Sequence, residues 1–315
     1  MDLFSSTTEA VNIAFFVTLG IAVGMLVLIT VLMVVFVIKY HRKRHPKASQ
    51  VKGHTLLEIV WTVVPTLLAL GMFYLGWVGY KFMRAVPEGA IEVSATGRMW
   101  SWEFEYENGK RSPELYVPVD RPVKVNLKSA DVLHSFYVPA YRVKQDVVPG
   151  LDTYVWFHPV DTGLYDIFCA EYCGQRHSYM MSKVVVIPAA EFQDWVEQDV
   201  ESVPVVSDEA TSDQEQVERL RRAGERLSKI KGCNACHSTD GSELVGPTYK
   251  GLFGRAGVVI TDGEKRQIVV DEEYLRKSIL EPSADIVEGY GPVMPSQQGI
   301  TEEEVNAIVE YLKTL

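Results

Sequence analysis

Residues 169–180 read Cys169-Ala-Glu-Tyr-Cys173-Gly-Gln-Arg-His177-Ser-Tyr-Met180, and this stretch decides how the middle of the chain is interpreted. Upstream, His134 begins a His-Ser-Phe stretch with strand character. Together these positions offer two thiolates, two imidazoles and a thioether, a soft ligand set that suits copper. A blue-copper centre needs only one cysteine, two histidines and a weak axial methionine. The second cysteine therefore predicts a pair of copper ions bridged by two thiolates.

The cysteine pair has two other interpretations. A disulfide between Cys169 and Cys173 is what a lone C-x3-C outside the cytoplasm favours. The added His177-x2-Met180 reverses that preference. Zinc is disfavoured, because methionine is a poor zinc ligand and the usual C-x2-C spacing is absent from this stretch.

Short runs with strand character surround this loop. Turn pairs such as Asn108-Gly109 and Pro149-Gly150 separate them. They predict a small β-sandwich or barrel with its chemistry on the last loop. The predicted strands are Ile91–Ala95, Trp100–Tyr106, Val123–Leu127, Thr153–Phe157, Tyr165–Phe168 and Lys183–Ile187.

Two uncharged runs precede this region, Val11–Ile38 and Ile59–Tyr80. Each is long enough, at about 1.5 Å per residue, to cross a hydrocarbon core of roughly 30 Å. They predict a transmembrane hairpin with helices at about 11–40 and 56–83. The basic loop between them belongs in the cytoplasm by the positive-inside rule, so both termini face outward.

Charge is distributed unevenly along the 315 residues, whose formal net charge is −10. Residues 1–83 carry seven Lys and Arg against three acids, whereas residues 84–315 are acidic overall. This asymmetry argues against a nucleic-acid partner and suits basic proteins, although solubility alone also explains it.

The second cysteine pair lies in Cys233-Asn-Ala-Cys236-His237. C-x-x-C-H provides two thiols for thioether bonds to haem and a histidine for the iron. A thioredoxin-like pair does not need the histidine, and a zinc site needs two more ligands, which residues 215–315 lack. Met294, the only methionine after Met181, is the predicted sixth iron ligand; the alternative is a buried apolar side chain.

The composition divides the chain into four parts. Residues 1–88 form the hairpin and residues 89–190 the β domain. Residues 191–214 are acidic and rich in Ser, Val and Pro, which predicts a short helix and then a flexible tether. Residues 215–315 form the haem domain, whose last helix begins with a capping box from Thr301 to Glu304.

These motifs resemble known families. Residues 1 to about 195 resemble subunit II of haem-copper cytochrome c oxidases, and residues 215–315 resemble a class I cytochrome c. The resemblance implies a two-helix transmembrane hairpin, an all-β cupredoxin-like domain and a small all-α class I cytochrome c domain. It implies a binuclear CuA site with the ligands His134, Cys169, Glu171, Cys173, His177 and Met180.

The same resemblance implies further roles. Trp100, in Trp100-Ser-Trp102, is the electron-input aromatic, although both tryptophans also suit a core. Glu171 gives its backbone carbonyl to copper and its carboxylate to magnesium at the border with subunit I. Glu58 matches the entrance of a proton channel, and its alternative is a solvated acid in the first turn of a helix.

The expected function is electron input to a terminal respiratory oxidase. The transmembrane runs contain no histidine, so an oxygen-reducing haem and copper must lie on another chain, subunit I. We expect covalent haem c and CuA as cofactors, with magnesium at the interface. Expected partners are subunits I and III, membrane lipid, and cytochrome c or a quinol–cytochrome c reductase as donor.

The expected location is the bacterial inner membrane, with the metal domains on the periplasmic side. Two alternatives stay open. One is the CuA-containing subunit of a nitric oxide reductase. The other is a copper-delivery assembly protein, which the H-x2-M continuation and the haem motif disfavour.

Overall fold

The fold is described from a computed structural model of the full chain, in which residues 6–47, 50, 52–198, 213–297 and 299–315 are described. The chain divides into two compact units, Met1–Pro87 and Glu88–Leu315. The bounds of the four parts given above stay predictions.

The first unit consists of two long apolar helices, α1 (Thr7–Lys39) and α2 (Thr55–Arg84). Ser6 caps α1, because its hydroxyl accepts the Glu9 backbone N–H at 3.2 Å. Large apolar side chains are exposed along both helices. Both helices are long and apolar enough to cross a membrane.

The second unit begins with two five-stranded sheets, which we call the β domain together with α3. The strand orders are β3-β2-β1-β5-β8 and β4-β10-β9-β6-β7. The strands are β1 (Ile91–Arg98), β2 (Ser101–Tyr106), β3 (Arg111–Ser112), β4 (Leu115–Pro118), β5 (Val123–Ser129), β6 (His134–Val138), β7 (Val143–Val147), β8 (Thr153–Phe157), β9 (Gly163–Cys169) and β10 (Met181–Ile187), and α3 spans Ala189–Glu197.

Alternation of side chains creates the core between the sheets. In β5, Val123, Val125 and Leu127 are fully buried, while the residues between them are not. Burying each such side chain stabilises the fold by about 1.5–3 kcal/mol. Strands β9 and β6 lie side by side in one sheet, so the loop after Cys169 lies beside the start of β6 at His134.

Strand β6 was indicated by the sequence, whereas β3, β4 and β7 were not predicted. All three of these strands lie at sheet edges. Edge strands carry polar residues and proline, as in Lys144-Gln-Asp of β7 and Pro118 of β4. These residues weaken the alternation from which strands are predicted.

The second unit ends in what we call the C-terminal region, with helices α4 (Asp213–Ile230), α5 (Glu272–Leu280) and α6 (Glu302–Leu312). Helices α4 and α6 pack on each other through a buried apolar core. The capping box of Thr301 and Glu304 is present. A small sheet of β11 (Ala256–Thr261), β12 (Glu264–Val269) and β13 (Ile286–Val287) was not predicted. The predicted tether falls mainly on residues 199–212, outside the described residues.

Candidate metal centres

The loop after β9 brings together the side chains predicted to hold copper. Cys169 Sγ lies 3.7 Å from Cys173 Sγ and 3.9 Å from His134 Nδ1. Cys173 Sγ lies 3.5 Å from His177 Nδ1 and 3.7 Å from Met180 Sδ. Each sulfur of the pair thus has its own imidazole beside it.

Glu171 contributes through its backbone. Its carbonyl oxygen lies 3.2 Å from Cys169 Sγ, and its side chain is half-buried. Among the residues that the structure describes, one group of His, Cys, Asp or Glu places three ligand atoms within 4.8 Å of one another, and it consists of His134, Cys169 and Cys173. Thiolates, imidazoles and a thioether at these distances fit copper better than a hard cation.

Asp131 completes the surroundings of His134, and the sequence did not indicate it. His134 is fully buried, and its Nε2 lies 2.8 Å from Asp131 Oδ1. Asp131 also accepts the backbone N–H groups of Met99 at 2.7 Å and Val132 at 2.6 Å. Carboxylates that hold the far nitrogen of a histidine orient its near nitrogen toward a metal. A signal was present only as the spacing Asp131-x-x-His134.

The two thiols of this loop differ in acidity. Burial favours the neutral thiol at both positions. At Cys169, hydrogen bonds from His134 and from neighbouring backbone groups outweigh burial and lower the pKa of the thiol. At Cys173, burial and the negative charge on Cys169 raise the pKa of the thiol. A cation is therefore needed before both thiols ionise at neutral pH.

His134 and Asp131 form a charge-assisted pair. Burial alone lowers the pKa of His134, but the hydrogen bonds to Asp131 and Cys169 raise it overall. Burial raises the pKa of Asp131, while hydrogen bonds from His134 and two backbone amides lower it overall. Asp131 is thus ionised at neutral pH and holds the imidazole in place.

The two neighbouring tryptophans have different surroundings. Trp100 Nε1 donates a hydrogen bond to the Cys173 carbonyl at 3.1 Å. A Cβ at Gly174 would lie 3.2 Å from Trp100, so the indole packs directly on the cysteine loop. Trp102 is a core residue, packed edge-on against Phe136 at 5.4 Å. Contact with the cysteine loop therefore distinguishes Trp100 from Trp102.

In the C-terminal region, Cys236, His237 and Met294 line one largely apolar cleft. His237 Nδ1 lies 2.7 Å from the Pro247 carbonyl, to which it donates when it carries the proton, which leaves Nε2 free to bind iron. Burial lowers the pKa of His237, so the imidazole is neutral, as a ligand must be. Cys233 completes the motif one turn earlier, and burial raises the pKa of its thiol to about 11.

Glycine permits the backbone to approach the imidazole. A Cβ at Gly246 would lie 2.5 Å from His237 Cε1. His237 also stacks on Tyr249 with ring centroids 4.6 Å apart. The loop that contains Gly246 and Tyr249 thus packs on the imidazole, and the apolar cleft with its Cys, His and Met groups fits a covalently attached haem.

Glu58 lies in the first turn of α2 and is exposed. Its backbone N–H donates to the His54 carbonyl at 3.0 Å. The helix dipole stabilises a carboxylate in this first turn.

These features define a class of proteins: membrane-anchored electron carriers with a sulfur-rich centre and a c-type haem motif. Three family profiles match the chain. Residues 3–75 match the transmembrane domain of cytochrome c oxidase subunit II, residues 110–188 its periplasmic domain, and residues 222–315 cytochrome c.

Named relatives agree with these family matches. The chain is 32% identical over 276 residues to cytochrome c oxidase subunit 2 of Alkalihalophilus pseudofirmus, covering 84% of this chain and 75% of the relative. It is 30% identical over 290 residues to the Bacillus subtilis protein of the same name, covering 84% and 76%. It is 34% identical over 191 residues to an alternative cytochrome c oxidase subunit 2 of Bradyrhizobium diazoefficiens, covering 50% and 69%.

The chain therefore belongs to the cytochrome c oxidase subunit II family and carries a fused cytochrome c domain. It is the membrane-anchored, electron-transferring part of an oxidoreductase complex. The family and fold class predicted from the sequence are confirmed, and the domains imply copper and haem binding.

Proposed function

We propose that this chain passes electrons from a cytochrome c-type donor to the oxygen-reducing centre of subunit I, using covalent haem c and binuclear CuA. The observation that carries the proposal is the convergence of two thiols, one imidazole and a thioether on the loop after β9 with the imidazole of His134 from β6. This loop belongs to the same folded unit as the C-x-x-C-H motif. Copper and haem supply one-electron redox chemistry when bound.

The copper ligands in this proposal are His134, Cys169, Cys173, His177, Met180 and the Glu171 carbonyl. The chain supports them in three ways. Asp131 fixes the imidazole of His134 at 2.8 Å. The β6–β9 pairing places His134 beside the cysteine loop. Burial of Cys173 and Met180 excludes water, which limits reorganisation around a one-electron carrier.

Cys233 and Cys236 would attach the haem covalently, and His237 and Met294 would bind its iron. The Pro247 carbonyl orients His237, and the apolar cleft excludes water. A methionine ligand raises the haem potential, which suits transfer toward an acceptor of high potential.

With copper bound, Trp100 would be the residue through which an electron reaches the metal, and the hydrogen bond that its indole donates to the Cys173 carbonyl supports this role. The Glu171 carboxylate binds magnesium at the border with subunit I. Glu58 opens a proton channel together with a partner subunit.

The chain spans the bacterial inner membrane twice, with both termini and the metal sites in the periplasm. The basic loop between α1 and α2 supports this orientation. Subunits I and III and membrane lipid are its neighbours, and cytochrome c or a quinol–cytochrome c reductase is its donor.

Turnover of the detergent-extracted native complex tests the proposal. The complex receives an artificial reductant, with oxygen or nitric oxide in separate cells. We expect fast, cyanide-sensitive oxygen uptake that is lost in Cys173→Ser but kept in the surface variant Asp152→Asn. Nitric oxide consumption without oxygen uptake would instead indicate a nitric oxide reductase, and the absence of both activities would favour a copper-delivery role.

A further inference from the structure

A cluster of charged side chains joins the β domain to the C-terminal region, and neither metal centre requires it. On the β domain, Arg98 Nη2 lies 2.9 Å from Glu103 Oε2, and Arg111 Nε lies 3.6 Å from Glu103 Oε1. Across the contact, Arg111 Nη1 lies 3.3 Å from Glu304 Oε1. Lys231 Nζ lies 3.7 Å from Glu304 Oε2. These five side chains form the inter-domain cluster.

The cluster is largely removed from water. Side-chain exposure is 10% for Arg98, 7% for Glu103, 10% for Glu304 and 4% for Lys231, while Arg111, which pairs with Glu304 across the contact, is 34% exposed. Buried charges are tolerated only when opposite charges and hydrogen bonds match them closely. A loosely docked, tethered domain needs only exposed contacts, which contribute little and are screened by salt. The burial here therefore indicates one fixed arrangement of the two parts.

A second contact involves the haem-attachment segment. Gly232, directly before Cys233, has a φ of +74°, and a Cβ there would lie 2.0 Å from Ser101 Oγ. Glycine at this position thus permits both the turn and the approach of the two backbones. Ala235 and Cys236 pack against the buried core of the β domain, which includes Trp100.

A third contact involves the loop of the predicted iron ligand Met294. Arg98 Nη1 donates a hydrogen bond to Gln297 Oε1 at 3.1 Å. Arg98 is the last residue of β1, two positions before Trp100. One guanidinium therefore connects the strand that leads to Trp100 with the loop that follows Met294.

We propose that the inter-domain cluster locks the C-terminal region onto the face of the β domain formed by Arg98, Trp100 and Ser101, which we call the Trp100 face. A separate cytochrome then cannot reach this face. An external donor then reduces the chain's own haem, and copper receives electrons only from that haem. The fused region is present at an effective concentration of the order of millimolar. A separate cytochrome at micromolar concentration therefore competes for the Trp100 face about a thousandfold less well. The electron-transfer part of this inference rests on the proposed function, whereas the locking does not.

Hydrogen exchange of the purified full complex tests the locking. The variants are Arg111→Gln, Glu304→Gln and the double variant. The control is Arg276→Gln with Glu302→Gln, a pair 2.6 Å apart that lies within the C-terminal region. We expect Arg111→Gln to speed exchange of amides 231–236, and Glu304→Gln to speed exchange of amides 98–104, each about tenfold or more.

Glu304 also caps α6, so its loss has a local effect. This effect cancels when the double variant is compared with Glu304→Gln alone. The locking predicts that the double variant exchanges no faster than the faster single variant. The control pair leaves amides 98–104 unchanged. Exchange that changes only in the domain carrying the substitution would overturn the inference.

Electron injection from a photoexcited, zinc-substituted cytochrome c tests the exclusion. In the wild-type complex, we expect haem reduction to precede the change in the copper absorbance. In the Arg98→Gln, Arg111→Gln variant, a fraction of copper is reduced directly. Direct reduction of copper in the wild type would overturn the exclusion. If neither group accepts an electron, the proposed function fails, while the exchange experiment still decides whether the domains are locked.

Discussion

At the scale of single residues, the copper centre depends on a carboxylate that is not itself a ligand. Asp131 accepts two backbone amides and holds His134 at 2.8 Å. His134 Nδ1 faces Cys169 as a result. Orientation of this kind, and not only the identity of the ligands, determines metal affinity.

Replacing Asp131 is therefore expected to weaken copper binding. We expect Asp131→Asn to lower copper affinity about 10- to 100-fold, because the amide is uncharged and holds the imidazole less firmly. Copper retention during dialysis against a graded chelator measures this change. Asp152→Asn, on the same domain but exposed, is the control. Equal retention in both variants would contradict the role of Asp131.

The unequal acidity of the two thiols predicts proton release on copper binding. Burial and the charge on Cys169 raise the pKa of Cys173 above its ordinary value, so this thiol stays protonated at neutral pH. Copper must displace that proton, so affinity rises with pH. Titration calorimetry of the copper-free complex in buffers of different ionisation enthalpy is expected to give at least one proton per chain. No buffer dependence would contradict the assignment.

The side chains that the structure brings together as candidate copper ligands could be selected from the sequence, because residues 169–180 concentrate most of them in one loop. Asp131 could not, since an acid three residues before a histidine is common and carries no chemistry by itself. The Pro247 carbonyl that orients His237 is a backbone group ten residues away, so residue identity could not indicate it either.

At the scale of elements, the C-terminal region depends on a close crossing of α4 and α6. A Cβ at Gly224 would lie 2.0 Å from the Ala307 carbonyl and 2.8 Å from Tyr311 Cβ. The two backbones therefore meet at a glycine, and the apolar side chains around it pack closely.

Adding a methyl group at this crossing is expected to destabilise the region. Gly224→Ala should lower the free energy of unfolding by about 1–3 kcal/mol, because the helices must separate to admit Cβ. Arg219→Ala, on the exposed face of α4, is the control. Denaturation followed by haem absorbance measures both. A Gly224→Ala variant as stable as the control would contradict the close crossing.

The small sheet depends on a buried carboxylate. Asp285 binds Lys277 at 2.8 Å and Arg266 at 3.1 Å, and it accepts the Thr261 hydroxyl. Hydrogen bonds from Lys277 and Thr261 lower the pKa of Asp285 to about 2. Because the pKa of Asp285 is lower in the folded state, its ionised form contributes its full stabilisation above the ordinary carboxyl pKa of 3.8. This stabilisation is lost as pH falls toward about 2.

Asp285→Asn should therefore flatten the decline in melting temperature of this region below about pH 4. Haem absorbance during thermal melts from neutral pH downward measures the slope. The control is Asp262→Asn, at a turn where asparagine is also tolerated. Parallel slopes for Asp285→Asn and the wild type would show that this carboxylate does not contribute.

The predictability of the elements follows their burial. Interior strands such as β1 and β5 were predicted because both alternate buried and less buried residues. Strand β7 was not predicted, because Lys144-Gln-Asp146 interrupts its apolar alternation, and β3 and β4 were not, because they are only two and four residues long. In β12 nearly every residue is exposed, so its sequence lacks any periodic apolar signal.

At the scale of the whole molecule, the chain combines a membrane hairpin with two carriers on one polypeptide. The contacts between the β domain and the C-terminal region could not be predicted, because they join positions almost 200 residues apart: Arg98 with Gln297, and Arg111 with Glu304. Only the folded structure shows that the haem-attachment segment faces the Trp100 side of the β domain.

Electron paramagnetic resonance of the purified wild-type complex tests the central claim, a thiolate-bridged copper pair on this chain, most directly. We expect an unpaired electron shared equally between two copper nuclei, lost in Cys173→Ser and kept in Asp152→Asn. The haem should stay bound to the chain under denaturing conditions. A signal from a single copper nucleus, or a Cys169–Cys173 disulfide in the mature complex, would contradict the account.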